Sequence, residues 1–535
     1  MDYQRSFGSP LRFHSEIETG EKGIIEAVKY GHLDIVKYIM EKLIEIYRLP
    51  VYILGYLPLR SAAISGQLDI VKYFMEMRGI NEVPKDSKEN RDLLFHARLK
   101  EESLYSTGRW VDSFMGRGVS WEPIHYAAFC GKMEIVKYLM EVASGIEKEP
   151  RTHYALEDTP IHFASLEGHL DIVKYLMDTI TEKEPKNKFG KMPIHYAAWN
   201  GRKEILKYFM EEATGIEKEP EDSAGLRPIH WAVKNGNLEI VKYLMGTITE
   251  KEPKTHRNLT PIHYAAKEDN VEILKYFMEE VNGIEKEPKD IHNQRPIHLA
   301  AESGDLKSVK YLMNKIIEKE PRDSSGRTPI HLAARSGNVK LLKYFMEEVN
   351  GIEKEPKNYY NERPIHYAAL TGLKDPGNPI NRTTLPNKQI GHLGSVKYLM
   401  TKIIEKEPRD GNGRKPIHVA AFWGNVGILE YFMENVTGIE KEPIENYENR
   451  PIHFAAEQGH LHCVEYLMGK ITEKEPVNKF GQTPLDLAIN CHGINKTFFS
   501  GELHDCQQVV KFLEGGEPLY YDHQGVPCID HCIDN

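Results

Sequence analysis

Residues 328–346 read TPIHLAARSGNVKLLKYFM, and close variants of this stretch recur along most of the 535-residue chain. Proline suits the first position of a helix, where its missing N–H is not needed, so Pro329 predicts a helix start. The alanine pair allows close approach of a neighbouring helix, and Gly337 is a residue type that ends helices. The apolar residues that follow recur at a spacing of three to four, with lysine between them. The stretch therefore predicts two short helices joined by a tight turn.

The Pro-Ile-His string marks an internal repeat. Most successive prolines of the series are 33 or 35 residues apart, and one spacing of 52 is a 33-residue unit with a 19-residue insertion. Each unit ends near Glu-Lys-Glu-Pro, which occurs ten times, and arginine and threonine alternate before many of the prolines. We infer that a two-repeat block was duplicated. The series comprises Pro123, Pro160, Pro193, Pro228, Pro261, Pro296, Pro329, Pro364, Pro416 and Pro451, and the variant Pro484-Leu485-Asp486 closes it.

These residues resemble ankyrin repeats, whose signature is Thr-Pro-Leu-His-x-Ala at a 33-residue period. Eleven units match well from Pro123 to about Leu513, and three degenerate units are expected over residues 24–43, 57–77 and 92–115. The resemblance implies an all-α ankyrin-repeat solenoid of about 14 helix-turn-helix units with short hairpin-like turns.

The organisation along the chain follows from this assignment. We expect a disordered N-terminal segment (1–21), degenerate repeats (22–122), regular repeats (123–515) with an irregular loop inserted at 373–391, and a C-terminal tail (516–535). The insertion is rich in proline and glycine, and it is either a functional loop or a tolerated surface excursion.

Composition excludes several classes of function. Lys and Arg total 69 against 79 Asp and Glu, a net charge of −10, whereas nucleic-acid binders are usually basic. No apolar run reaches the roughly 18–20 residues that cross a bilayer, and the first residues lack a secretory signal. Six scattered cysteines form no disulfide framework. We expect a monomer of the cytoplasm or nucleus, without cofactor, bound metal or direct membrane insertion, and the absence of catalytic motifs predicts a protein that is not an enzyme.

Two repeated features are interpreted as scaffold. The resemblance implies that the histidine after each Pro-Ile hydrogen-bonds the neighbouring turn, and stacked repeats hold these histidines about 10 Å apart, too far for a shared metal. Glu-Lys-Glu-Pro is interpreted as a solvated loop with local ion pairs rather than a docking surface. The other turns have Gly or Asn three residues before the next proline, whereas this turn has Glu448 there. We therefore expect this turn to be distorted.

The predicted function is protein–protein binding by a scaffold or adaptor, in the concave groove of the solenoid. Ankyrin repeats usually contact partners through turn tips and the ends of the first helices, and aromatic residues are common at interface hot spots. Some of these rings are instead expected to fill gaps between repeats. The candidate partner-binding residues are Trp121, Phe189, Trp199, Arg257, Arg327, Tyr359, Tyr360, Phe422, Trp423, Tyr447 and Phe480.

Two alternatives stay open. A structural or membrane-linked role would make the solenoid a spring or cytoskeletal tether that acts through a partner. An effector role would depend on a metal-binding tail at Cys528, His531 and Cys532, although the Cys-x-x-x-Cys spacing is a weak zinc signature.

Overall fold

The computed structural model describes residues 23–47, 51–80, 121–142, 149–152, 156–370, 386–494 and 502–515. All regular secondary structure in these ranges is helical, which confirms the all-α prediction. The chain divides into two compact units, residues 1–256 and 257–535. We name each repeat by the proline that begins its first helix.

The first unit is built of paired antiparallel helices, as the sequence predicts. In the Pro193 repeat the second helix ends in a π-helical turn, Tyr208–Glu212. The pairs are 23–29 with Leu33–Tyr47, Val51–Ser65 with Leu68–Ile80, Pro123–Phe129 with Met133–Glu141, Pro160–Glu167 with Leu170–Thr179, Pro193–Trp199 with Lys203–Lys207, and Pro228–Lys234 with Leu238–Thr247. The predicted unit at 92–115 lies outside the described residues.

The second unit repeats this arrangement. Its pairs are Pro261–Lys267 with Val271–Lys275, Pro296–Ser303 with Leu306–Lys315, Pro329–Ser336 with Val339–Lys343, Pro364–Ala368 with Pro386–Lys402, Pro416–Phe422 with Val426–Glu430, Pro451–Glu457 with Leu461–Lys470, and Pro484–Ile494 with Glu502–Leu513. The π-helical turns that follow three of these second helices are Tyr276–Glu280, Tyr344–Glu348 and Tyr431–Asn435.

The alternation of 33- and 35-residue repeats has a structural counterpart. The π-helical turns all belong to 35-residue repeats, whose loops begin with a glycine in the left-handed region, such as Gly283 at φ 76°. In the 33-residue repeats the second helix stays α-helical and a tyrosine hydroxyl reaches back to the preceding repeat. Tyr311 donates to Glu279 at 3.0 Å, and Lys315 pairs with the same carboxylate at 2.9 Å. The two repeat types therefore pair with each other along the second helices.

Part of the insertion differs from the prediction. Residues 386–391 begin a helix that continues as the second helix of the Pro364 repeat, so the expectation of an irregular loop there is wrong. Pro386 at the helix start is the physical reason, because its fixed φ suits the first helical turn. Residues 373–385 of the insertion lie outside the described residues.

The histidine column ties each first helix to the segment that leads to the next repeat, as expected of scaffold. His125 Nε2 donates to the carbonyl of Pro150 at 2.9 Å, so its Nδ1 accepts, and the N–H of Glu122 donates to it at 2.9 Å. Burial makes the charged imidazole unfavourable and lowers its pKa. This pKa falls to about 4 for His125, His195, His263, His331 and His418.

The Glu-Lys-Glu-Pro segments, which we call the loop edge, are more than solvated loops. Lys441 donates to the carbonyls of Phe432 at 2.5 Å and Val436 at 2.6 Å, which caps the end of a second helix. The second glutamate of a segment accepts a backbone N–H of the next segment, as Glu407 does from Glu440 at 3.1 Å. Beyond the local ion pairs that the sequence predicts, the segments therefore cap second helices and link successive loops.

A cation before the helix-initiating proline completes the loop edge in several repeats. Arg295 pairs with Glu287 of the preceding segment at 2.9 Å and with Glu318 of the following segment at 2.6 Å. Lys415 takes the equivalent position in its repeat and pairs with two glutamates at 2.8 and 2.9 Å. The arginine of the two-repeat alternation thus bridges two loops. In a threonine repeat the Thr260 hydroxyl instead lies 3.0 Å from the Nδ1 atom of its own column histidine.

Candidate functional site

Hydrogen bonds fix the backbone of the turn before each first helix. Two residues lie at the tip of this turn. In one such turn the Asp222 carboxylate accepts the N–H groups of Ala224 and Leu226, both at 2.9 Å. The Ser223 N–H then donates to the carbonyl of Phe189 in the preceding turn at 2.9 Å. We call these tip positions the tip edge: residues 188–189, 223–224, 256–257, 291–292, 324–325, 359–360, 411–412, 446–447 and 479–480.

The turn containing Glu448 keeps the same form, so the prediction of a distorted turn is wrong. Glu445 replaces the usual Asp or Asn, and its carboxylate accepts from the N–H groups of Tyr447 at 3.0 Å and Asn449 at 3.1 Å. Glu448 adopts a φ of 63°, in the left-handed region that glycine and asparagine occupy elsewhere. The hydrogen bonds of the turn hold a residue there at the expense of backbone strain.

Five predicted binding residues lie on the tip edge and expose aromatic rings. Their exposed fractions are 46% for Phe189, 67% for Tyr359, 62% for Tyr360, 51% for Tyr447 and 66% for Phe480. The rings of Tyr447 and Phe480 stack at 5.8 Å between centroids. Rings that stack on the surface join into one apolar area, and joined apolar areas mark interaction sites more often than single exposed side chains do.

The tip between these aromatic pairs is small. Gly411 and Asn412 occupy it, with Gly411 donating its N–H to the carbonyl of Tyr360 at 2.7 Å and the Asn412 carbonyl accepting from Asn446 at 3.1 Å. Tyr360 precedes this small tip, and Tyr447 lies on the tip that follows. In the second unit, aromatic tips at 359–360 and 446–447 thus lie on either side of the tip at 411–412, whose side chains are small.

The predicted residues at the ends of first helices are half-buried. Trp199 packs against Trp231 with ring centroids 5.4 Å apart. In the second unit Phe422 lies 5.7 Å from Trp423 and 6.2 Å from Phe454. These rings therefore join neighbouring repeats with one part of their surface and leave the rest open to solvent.

The two predicted arginines differ in their surroundings. Arg257 is exposed, and its carbonyl accepts the N–H of Ile291 at 3.2 Å. Arg327 is half-buried and pairs with the buried Asp323 at 2.6 Å within its own turn. Because that carboxylate also accepts backbone N–H groups of the turn, the Arg327 side chain takes part in the scaffold.

Trp121 is not on an open face. It is 5% exposed and belongs to a buried cluster with Ala63, Tyr126 and Phe163, the last with its ring centroid 4.2 Å away. The prediction of a binding role for Trp121 is therefore corrected to a core role. Tryptophan carries enough apolar surface to fill the space between repeats, which is the alternative expected for some of these rings.

Trp231 is a candidate residue that the sequence did not single out. It occupies the position after the histidine, where other repeats have tyrosine, leucine, phenylalanine or valine, so its place in the pattern indicated core. The structure leaves it half-buried, with Lys191 Nζ 3.9 Å from its ring centroid. The sequence signal that could have identified it is a tryptophan at a position where the other repeats have smaller side chains.

Some functions find no support among the described residues. No cluster of three or more His, Cys, Asp or Glu side chains that could hold a metal ion occurs there. In the same part of the chain, every helix is too short or too polar to cross a membrane. The tail residues Cys528, His531 and Cys532 lie outside the described residues.

Helix pairs stacked through a shared histidine column and hydrogen-bonded turn tips define a helical repeat protein. Family models for ankyrin repeats match residues 109–187, 179–254, 229–323, 297–375, 24–75 and 447–473. These matches together cover more than half of the chain, which belongs to the ankyrin repeat family and forms an all-α ankyrin solenoid. The comparison with curated proteins returned no match.

Proposed function

We propose that this chain is a scaffold or adaptor that binds a protein or peptide partner through the tip edge and the adjoining ends of the first helices. Ankyrin repeats are generally protein–protein interaction modules and are typically not catalytic. The observation that carries the proposal is the exposure of aromatic rings on the tip edge. We expect the chain to act as a monomer in the cytoplasm or nucleus.

The tip edge suits recognition because its backbone is already fixed. Turn amides donate to an aspartate or asparagine of the same turn and to the neighbouring tip, so little backbone entropy remains to be lost on binding. Tyr359 and Phe480 are 67% and 66% exposed, so they offer large apolar area to a partner. The same rings bury little surface in the free protein, and removing them leaves the core intact.

A capture experiment with matched variants tests the proposal. The tip variant carries Tyr359→Ser and Phe480→Ser. The control carries Ile317→Ser and Ile404→Ser, which replace two side chains that are 94% and 93% exposed on the loop segments of the same unit. All three proteins, confirmed to be equally helical, are used to capture partners from native lysate for mass spectrometry.

A partner captured by wild type and the control but lost by the tip variant supports the proposal. A partner that both variants retain contradicts the assignment to the tip edge. A partner lost only by the loop control would contradict it too, because binding would then lie on the loop edge.

A further inference from the structure

Two Asn-Gly pairs lie where a loop leaves a π-helical turn of the second unit. They are Asn282–Gly283 and Asn350–Gly351, and all four residues are exposed. The glycines have φ values of 76° and 74°, and a Cβ added to either would meet no other described atom within 4 Å. The two other repeats with π-helical turns have Thr214 and Thr437 in place of the asparagine, so threonine also suits this position.

An asparagine followed by glycine is open to an intramolecular reaction that removes its side-chain amide. The deprotonated backbone nitrogen of the glycine attacks the side-chain Cγ, a C–N bond forms, the Cγ–Nδ2 bond breaks, and ammonia leaves with the proton. Water then opens the cyclic imide at one of its two carbonyls. The product is aspartate or isoaspartate, in which the main chain runs through the former side chain. Glycine favours the attack because it has no Cβ to obstruct the nitrogen.

The reacting peptide group is accessible at both pairs. Among the described residues, the N–H of Gly283 and that of Gly351 donate to no acceptor, and the carbonyls of Asn282 and Asn350 accept no hydrogen bond. A peptide group without such bonds rotates toward the side-chain carbon at little cost, because no hydrogen bond has to break first.

The chain contains three other Asn-Gly pairs, and each is held by hydrogen bonds. At Asn412–Gly413 the peptide group is bonded on both sides. The Asn412 carbonyl accepts from the N–H of Asn446 at 3.1 Å, and the Gly413 N–H donates to the carbonyl of Asp410 at 3.0 Å. The bonds at the remaining two pairs are that of the Gly236 N–H to the Val233 carbonyl at 3.0 Å and that of the Asn200 side-chain amide to the Leu166 carbonyl at 2.8 Å.

We propose that Asn282 and Asn350 are modification sites, at which the folded protein converts asparagine to aspartate and isoaspartate. Either product places a carboxylate just after a second helix, where the helix dipole disfavours negative charge. Isoaspartate also lengthens the main chain ahead of Lys354, which caps the same helix end by donating to the carbonyl of Phe345 at 2.6 Å. The modification therefore weakens the contact between a second helix and its loop. Both sites lie outside the tip edge, so this inference does not depend on the proposed function.

Ageing in water enriched in oxygen-18 measures the reaction at each pair. The full-length protein is held at 37 °C and pH 8.0, and a matched sample is held unfolded in urea. Both samples are digested in ordinary water, so that only asparagine converted during ageing carries the heavy oxygen. The peptides that contain the Asn-Gly pairs are then quantified by mass spectrometry.

In the folded protein, we expect label at Asn282 and Asn350 to accumulate at least about tenfold faster than at Asn412, because the bonds of the Asn412 peptide group must open first. In urea, where only the neighbouring sequence differs, the difference should shrink to less than about threefold. Equal rates at the five pairs of the folded protein would overturn the proposal. So would a difference of the same size in urea, or the absence of label at Asn282 and Asn350 while the unfolded sample reacts.

The double variant Asn282→Thr/Asn350→Thr tests the consequence, with the threonine that sibling repeats already have. Before ageing, its thermal midpoint should equal that of wild type. After ageing, the wild-type midpoint should fall while that of the variant is retained. An equal fall in both proteins would contradict the inference that modification at these two residues loosens the helix ends.

Discussion

The loop edge and the tip edge of the same repeats use opposite chemistry. On the loop edge Lys441 caps a helix and Arg295 bridges two loops, so charged side chains hold successive repeats together. On the tip edge the backbone makes the contacts between repeats, and rings such as Tyr360 remain exposed. In this protein, therefore, the charged side chains of the loop edge stabilise the stack of repeats, and the exposed rings of the tip edge form the surface that we propose for recognition.

Lowering the pH should produce the largest difference between the two edges, because it weakens the histidine contacts to the loop edge and leaves the tip edge unchanged. The column histidines His125 and His195 donate to loop-edge carbonyls, and burial lowers the pKa of each from 6.5 to about 4. The unfolded chain takes up protons first, so the stability is fully present above pH 6.5 and is lost as the pH falls toward 4. We expect a loss of up to about 1.4 kcal/mol per pH unit for each histidine.

Urea unfolding followed by circular dichroism at pH 7.0, 6.0 and 5.0 measures this loss, above the range where most carboxylates titrate. The variant Tyr360→Ser serves as the control, because it changes the tip edge without touching a column histidine and should follow the wild-type profile. A free energy of unfolding that stays constant across this range would show that the histidines are protonated without cost to the fold.

Much of this architecture could be predicted from the sequence because local signals and repetition agree. Pro329, the alanine pair and Gly337 each favour the observed helix pair, and variants of the pattern recur along the regular repeats. The bonds that link successive Glu-Lys-Glu-Pro loops could not be predicted, because the partners lie about 30 residues apart. The bond from Glu440 to Glu407 depends on how successive repeats stack, which spacing alone does not specify.

The candidate site was harder to predict than the fold. Aromatic residues at turn tips, such as Phe480, are exposed as their position suggested, whereas Trp121 is in the core. Composition cannot separate these cases, since tryptophan is equally suited to a core and to an interface. Trp231 illustrates the reverse error, because a residue in a core column is left half-buried.

The next largest effect should come from breaking one bridge of the loop edge. Arg295→Met leaves Glu287 and Glu318 without the cation that lies 2.9 and 2.6 Å from them. Because Glu318 is half-exposed, solvent screening reduces the effect, and we expect a loss of about 1–2 kcal/mol in the free energy of unfolding.

The matched change on the tip edge is Tyr360→Ser, for which we expect a change within about 0.5 kcal/mol. Both variants are measured by urea unfolding at low salt and at 0.5 M NaCl. The Arg295→Met difference should shrink at high salt. Equal losses for the two variants would remove the contrast between the edges.

The smallest effect concerns strain on the tip edge itself. Glu448→Gly relieves a φ of 63° that costs a non-glycine residue about 1–2 kcal/mol, while the added freedom of the unfolded chain offsets about 0.4–1 kcal/mol. We expect a net gain of about 0.5–1 kcal/mol in the free energy of unfolding. Asn361→Gly is the control at φ 58°, and its gain should be smaller because asparagine tolerates this conformation better. A loss of stability in Glu448→Gly would mean that the Glu448 side chain, rather than the hydrogen bonds of Glu445, maintains the turn.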